Sequence, residues 1–350
     1  MPKTSATPTI LFVHNAPSSF VKTDRHLLQQ KWQTIEWYQR SRHIQAAALW
    51  QLVNRCDLVF CWFAGWHSLV PVGLARLLGK PALVVTGGYD VANLPEAGYG
   101  SQRGGLRRLI AQSVLNNATH LAAFSRSAKQ ETIYNAQIAP EKISVIPLAV
   151  QPLAAGPLTG RDNMALTVGG VWRENFLRKG LLPFTQAAAH LAETKFTLAG
   201  QWFDDGINEL RKIAPPNIEF PGFVTNAQLG KLYRQASVYV QASLHEGFGL
   251  SVAEAMLAGC IPVVTRQGAL PEVVGEAGLY LNSTEPGEIA EVIRQALRST
   301  SAKRQQARER ILNQFPPEQR RRQLQSLVSQ YLPGNTAAIS LKALSFKNPA

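Results

Sequence analysis

Cysteine is scarce in this chain, with three in 350 residues: Cys56, Cys61 and Cys260. Their spacing gives neither a metal-ligand pattern nor an even disulfide framework. Apolar neighbours, as in Leu58-Val59-Phe60-Cys61-Trp62, instead predict buried thiols in a reducing compartment. No apolar run approaches the length of a membrane span. The start, Met1-Pro2-Lys3-Thr4-Ser5-Ala6-Thr7-Pro8, lacks the apolar core of a signal peptide. These absences predict a soluble, cytoplasmic protein, at most peripheral on the inner face of a membrane. The acids are also short: 23 Asp and Glu against 36 Lys and Arg, a net charge of +13. No acidic pair of metal-binding character follows a strand, and Asp204-Asp205, after Gln201-Trp202-Phe203, reads as two surface acids. The dinucleotide fingerprint is missing too, because Val252 stands where its third glycine would fall.

The basic residues that are present are unevenly spread. No Asp or Glu occurs from Ala97 to Gln130, a stretch holding Arg103, Arg107, Arg108, Arg126 and Lys129. Leu106, Leu109, Ile110 and Val114 recur there at helical spacing, which predicts a basic amphipathic helix. A second cluster comprises Lys303, Arg304, Arg308, Arg310, Arg320, Arg321 and Arg322. Such clusters fit a solvated basic face or docking on an anionic membrane surface. Nucleic acid is not expected, since no reader motif or aromatic platform accompanies the charge.

Short apolar runs alternate with helical segments throughout. Strands are expected at Thr9–His14, Leu58–Trp62, Ala82–Thr86, His120–Phe124 and Ile143–Ile146. A second series lies at Ala165–Val168, Lys195–Ala199, Val238–Gln241, Ile261–Val264 and Leu279–Leu281. The Pro- and Gly-rich stretch from Gln151 to Gly160 between them reads as a linker. This alternation predicts two α/β domains, each with a parallel sheet, whose ligands bind beyond the carboxyl ends of the strands.

The densest chemistry lies in Glu246-Gly247-Phe248-Gly249-Leu250-Ser251-Val252-Ala253-Glu254. A strand precedes this glycine loop and a helix ending at Gly259 follows it, with Ser251 as the expected cap and Glu254 in the first helical turn. Free amides at such a helix start suit a diphosphate, and carboxylates suit the hydroxyls of a sugar. An ordinary strand-to-helix turn with solvated glutamates has the same spacing.

The run from Glu246 to Val264, with Gly268-Ala269-Leu270-Pro271-Glu272-Val273-Val274-Gly275 after it, resembles the signature of family 4 retaining glycosyltransferases of the GT-B fold. The resemblance implies two Rossmann-like parallel-sheet domains facing an interdomain cleft, with a last helix crossing back to the first. It places an acceptor-side domain at 1–153, a nucleotide-sugar domain at 154–315, the crossing helix at 316–333 and a tail at 334–350. It also implies a hexosyltransferase-type enzyme that moves a sugar from a nucleoside diphosphate-sugar to a hydroxyl acceptor, such as a lipid-linked or cell-envelope glycan. No cofactor or metal is then needed. Glu246 would touch the donor sugar and Glu254 the ribose, with Phe248, Gly249, Leu250 and Ser251 offering amides beside Gly247. Val168-Gly169-Gly170-Val171-Trp172-Arg173 and Arg178-Lys179-Gly180 resemble the phosphate-neutralising element, which points to Arg173 and Lys179, with Arg178 in reserve. Val224 falls in the segment that faces the nucleobase. In the first domain a familiar histidine is missing from Thr86-Gly87-Gly88-Tyr89-Asp90, which leaves Gly87, Gly88 and Asp90, with His14 and His67, as acceptor-side candidates. Two alternatives stay open: another activity on this fold, such as a sugar-nucleotide epimerase or a phosphorylase, and a degenerate membrane-binding protein.

Overall fold

A computed structural model describes residues 7–151 and 156–332. The expected domain boundary at 153/154 and the expected tail at 334–350 lie outside those residues. The described chain forms two compact units: 7–93, 100–149 and 317–332 in the first, 94–99, 150–151 and 156–316 in the second.

The first unit is built on β1 (Thr9–His14), β2 (Gln33–Tyr38), β3 (Leu58–Trp62), β4 (Ala82–Thr86), β5 (His120–Ala123) and β6 (Ile143–Val145), in the order β2-β1-β3-β4-β5-β6. The second is built on β7 (Asp162–Val168), β8 (Lys195–Ala199), β9 (Ile218–Gly222), β10 (Ala236–Gln241), β11 (Ile261–Thr265) and β12 (Leu279–Leu281), in the order β12-β11-β10-β7-β8-β9. All the pairings are parallel. Every residue of β3, β4, β10 and β11 is buried. Helices covering both faces of a parallel sheet demand such unbroken apolar strands. Each sheet reverses its build direction once, between β1 and β3 in the first unit and between β7 and β10 in the second. Loops diverge at such reversals, so the carboxyl ends of those strands are the natural places for ligands.

The last helix, Pro317–Tyr331, packs on the helix Ser19–Gln29 of the first unit and begins one residue after the expected start at 316. Its Arg320 guanidinium donates two bonds of 2.6 Å to the Asp24 carboxylate, and both side chains are buried. Arg320 also donates to the carbonyls of Ile146 and Pro147 at 2.7 and 2.8 Å.

The second basic cluster is largely turned inward rather than forming a solvated or docking face. On the helix Ser301–Gln314, Arg304 is 5% exposed and donates to the carbonyls of Ser237 and Gly259. Arg308 donates to Leu257 and Gly156, and Arg310 to Val273 and Glu272. Several of these acceptors end helices, where carbonyls lack intrahelical donors and the dipole favours a cation.

Candidate active site

In the second unit, the loops after β7 and β10 meet at the sheet's reversal. Gly169 follows β7, its amide donating to the Ala199 carbonyl at 3.0 Å. A short helical turn, Asn175–Arg178, leads to Lys179 and to Gly180 at φ 67°. A side chain at Gly180 would collide with the Ala242 carbonyl, so glycine lets this turn lie against the chain leaving β10. The Leu244 amide then donates to the Arg178 carbonyl at 2.9 Å. With the two loops so joined, the Lys179 ammonium pairs with Glu246 Oε2. These side chains are 21% and 15% exposed, so the pair is shielded yet reachable.

Glu246 is fixed from behind as well. Its carbonyl accepts from the Ala269 amide at 2.8 Å, and Gly268, at φ 56°, lies too close to that backbone to carry a side chain. The helix Leu250–Ala258 follows, capped by Gly249 at φ 90° rather than by Ser251. Its first internal bond runs from the Ala253 amide to the Gly249 carbonyl, so the amides of Leu250, Ser251 and Val252 are not spent within the helix. Phe248 is buried, its ring edge-on to Phe315 at 5.3 Å, and anchors the loop to the core. Gly247 lies between these two anchors in the loop.

Glu254 is the fifth residue of that helix, not part of its first turn. Its Oε2 accepts from the Tyr233 hydroxyl at 3.1 Å. Burial pushes its carboxyl up to about 7, against the opposing effect of the tyrosine bond. Sequence reasoning missed Tyr233, whose position in the helix Asn226–Gln235 is set by core packing and looks like any buried aromatic.

Arg173 is engaged through its side chain by surface acids. It is half exposed and held by Asp205 at 2.7 Å and Glu209 at 2.6 Å, while its amide donates to Asp204. The surface acids thus have a partner, and that partner is the arginine expected at the phosphates. Arg178, the reserve, is buried, hydrogen-bonded to Asn175 and stacked over the Tyr99 ring at 4.4 Å. Gly170 is confined by the Trp172 and Phe203 rings, so it serves local packing. Val224 is partly buried between β9 and the capping box of Thr225 and Gln228.

In the first unit, the residues beyond β1, β3 and β4 gather the acceptor-side candidates. Asp90 is buried and accepts from the Ala64 and Gly87 amides, each at 3.1 Å, so it binds backbone rather than standing open to a ligand. Burial raises its carboxyl to about 6. Gly87 is required by the Phe124 ring beside it, and Gly88 by its φ of 103°. His14 reaches Glu36 through Nε2 at 2.9 Å and stacks on Tyr38. His67 reaches the Trp62 carbonyl through Nε2 at 2.7 Å, and its Nδ1 is buried without a partner, as is the Thr86 hydroxyl. Burial depresses the His67 imidazole to about 4. Among the described residues, no group of three or more His, Cys, Asp or Glu is placed to hold a metal ion.

Residues 162–299 match the model of the family described as glycosyl transferases group 1. That match lies within the second unit, and the fold of the chain is GT-B. It is 37% identical over 102 residues to the O-antigen chain mannosyltransferase B of Escherichia coli, covering 29% of this chain and 27% of that protein. It is 26% identical over 244 residues to the MMP alpha-(1->4)-mannosyltransferase of Mycolicibacterium hassiacum, covering 67% of this chain and 57% of that protein. The chain thus spans about a quarter to just over half of these relatives. HepE from Anabaena, solved with UDP and glucose, has a similar structure, with a TM-score of 0.74 at 17% identity over 92% of this chain and 99% of that one. A sucrose-phosphate synthase from Thermosynechococcus elongatus has a TM-score of 0.70 at 17% identity, over 93% of this chain and 99% of that one.

Proposed function

We propose that this protein is a retaining glycosyltransferase of hexosyltransferase type, moving a sugar from a nucleoside diphosphate-sugar to a hydroxyl acceptor. The observation that carries the proposal is the Lys179–Glu246 pair at the reversal of the second sheet, beside a helix start with unspent amides. Lys179 and those amides neutralise the diphosphate, Glu246 accepts from sugar hydroxyls, and Glu254, steadied by Tyr233, accepts from the ribose. In the transfer, the sugar's anomeric carbon breaks its bond to the diphosphate oxygen and bonds the acceptor oxygen on the same face. The acceptor's proton passes to the departing phosphate, so no protein nucleophile or metal is required. Relatives named as mannosyltransferases and a UDP- and glucose-bound structural neighbour support this donor class. The acceptor is assigned to the first unit, beside His14, His67 and Thr86.

The test is thermal stabilisation by UDP-, GDP- and ADP-sugars, on the wild type and on Glu254→Ala. A ligand at a hundred times its dissociation constant adds about 2.7 kcal/mol, a visible melting shift. A shift with one nucleotide, lost in the variant, is the expected result. No shift with any of them would return the weight to a degenerate binding protein. Donor turnover or phosphorolysis without a glycosylated acceptor would favour an epimerase or phosphorylase.

A peripheral membrane location is part of the same proposal. On the helix Gly105–Asn117, Leu106 and Leu109 are 71% and 64% exposed, with Arg103 and Arg107 exposed beside them. Apolar side chains to insert and cations to attract suit an anionic lipid surface. Among the described residues, no helix is long and apolar enough to cross a membrane. Binding to anionic vesicles that weakens with salt and is lost in the Leu106→Glu, Leu109→Glu double variant is expected; equal binding to neutral vesicles contradicts it.

A further inference from the structure

One aromatic ring touches both residues that precede the ion pair. Tyr99 belongs to the short segment Leu94–Tyr99, which clusters with the second unit although the chain on either side belongs to the first. The segment closes on itself, the Leu94 and Tyr99 amides each donating to the other's carbonyl at 2.9 and 3.0 Å. Gly98 at φ 61° and Gly100 at φ 104° flank the tyrosine, conformations that side chains rarely adopt, and a side chain at Gly100 would strike the Ala92 carbonyl. The tyrosine's direction is thereby set by its own loop. Its ring lies 4.4 Å from the Arg178 guanidinium and packs on the His245 ring at 5.4 Å. Arg178 immediately precedes Lys179, and His245 immediately precedes Glu246.

We propose that Tyr99 is a positioning residue for the Lys179–Glu246 pair, a clamp that holds the two loops at the spacing a diphosphate-sugar requires. The inference rests on the donor-site reading above. The backbone bond from Leu244 to Arg178 brings the loops together but leaves both neighbouring side chains to be oriented. Arg178 is tied at one end by Asn175, which itself donates to the Gly170 carbonyl at 2.8 Å. The Tyr99 face closes the other side, through attraction between a cation and a ring. Charge stabilisation in a transfer site depends on donors fixed before reaction, so a loosened pair lowers turnover more than it lowers binding.

The experiment compares wild type with Tyr99→Ala, Tyr99→Leu and Tyr99→Phe. The readout is the rate at which an amine-reactive reagent modifies Lys179, followed by peptide mass spectrometry, with exposed Lys231 as internal control. Losing the ring should raise the Lys179 rate about three- to tenfold in the Ala and Leu variants, leave Lys231 unchanged, and leave the Phe variant at the wild-type rate. Where a donor is in hand, kcat should fall with KM little altered, again rescued by Phe. An unchanged Lys179 rate in folded Tyr99→Ala or Tyr99→Leu overturns the clamp, as does a Phe variant as reactive as the Ala variant. Protection of wild-type Lys179 by a nucleotide-sugar is a separate arm. Its failure would remove the donor site while the Tyr99 effect stood, so the two ideas fail distinguishably.

Discussion

The two sheets reverse direction in the same way, yet they arm their reversal points differently. At the second unit's edge, polar side chains meet each other: Lys179 with Glu246, and Tyr233 with Glu254. At the first unit's edge, the Asp90 carboxylate accepts backbone amides, and the buried atoms left unpaired include the Nδ1 of His14, the Nδ1 of His67 and the hydroxyl of Thr86. A buried polar atom without a partner costs about 1–3 kcal/mol, so it is best tolerated where a ligand can supply the bond. The second unit's edge thus pairs polar side chains with one another, whereas the first, beside its His14–Glu36 contact, leaves buried neutral groups without partners. That division suits a charged donor and a hydroxylated acceptor.

The largest break in the comparison comes from the charged edge. Lys179→Ala and Glu246→Gln should each lower transfer at least a hundredfold, following loss of charge-assisted bonds worth about 1.5–3 kcal/mol each and more if they tighten in the transition state. Melting temperatures should move by only a few degrees, because both side chains lie at a loop edge rather than in the core. Full activity in either variant, measured by radiolabelled sugar transfer, would remove the pair from the mechanism. Arg173→Ala is the matched control. Its side chain faces Asp205 and Glu209 at the surface, so activity within about threefold of wild type is expected.

Legibility followed the same divide between packing and long-range pairing. Central strands β3, β4 and β8 stand where their apolar runs predicted, because burial on both faces leaves no other composition. The edge strands β2 and β9 escaped notice: Gln33-Thr34-Ile35-Glu36-Trp37-Tyr38 has no apolar run, and β9 contains Pro221. The helix Ser19–Gln29 was hidden because one of its inward positions is Asp24, whose partner Arg320 lies 296 residues away. In the site, the resemblance singled out Glu246 and Lys179 separately, and the fold brings the two side chains together. The disposition of Arg173 was not legible, since only the fold brings it to Asp205 and Glu209. The inward arginines of the helix Ser301–Gln314 were equally opaque, as their acceptors are carbonyls that no side-chain sequence encodes.

A tenfold effect is expected from Glu254. Its carboxyl, raised by burial to about 7, would have to be ionised to accept from ribose hydroxyls in the role proposed for it. Donor affinity should therefore rise about tenfold from pH 6 to pH 8 and release a proton on binding, both measurable by calorimetry in buffers of different ionisation enthalpy. Glu254→Gln should abolish that pH dependence. The same variant sharpens the comparison through stability. A raised acid pKa means the protonated fold is favoured, so this stability is complete below the unfolded value of 4.5 and is lost as pH rises through about 7. Glu254→Gln should melt higher than wild type at pH 8, and the gain should shrink towards pH 5. An unaltered difference across that range would place the carboxylate in a wetter site than its burial indicates.

The smallest effect on the fold belongs to the neutral edge and tests it most directly. Thr86→Val replaces a fully buried, unpaired hydroxyl with a methyl of nearly the same volume. Removing an unsatisfied polar group usually leaves stability unchanged or improves it, here by up to about 1 kcal/mol, whereas losing a satisfied hydroxyl would cost about as much. Melting temperature should thus hold or rise slightly. Donor affinity, which the proposal sets in the other unit, should not move. If this edge receives the acceptor, KM for the acceptor should rise severalfold while donor KM stays constant. A Thr86→Val enzyme with unchanged acceptor KM would leave that hydroxyl a tolerated cost of packing and would confine the chemistry's recognition elements to the charged edge.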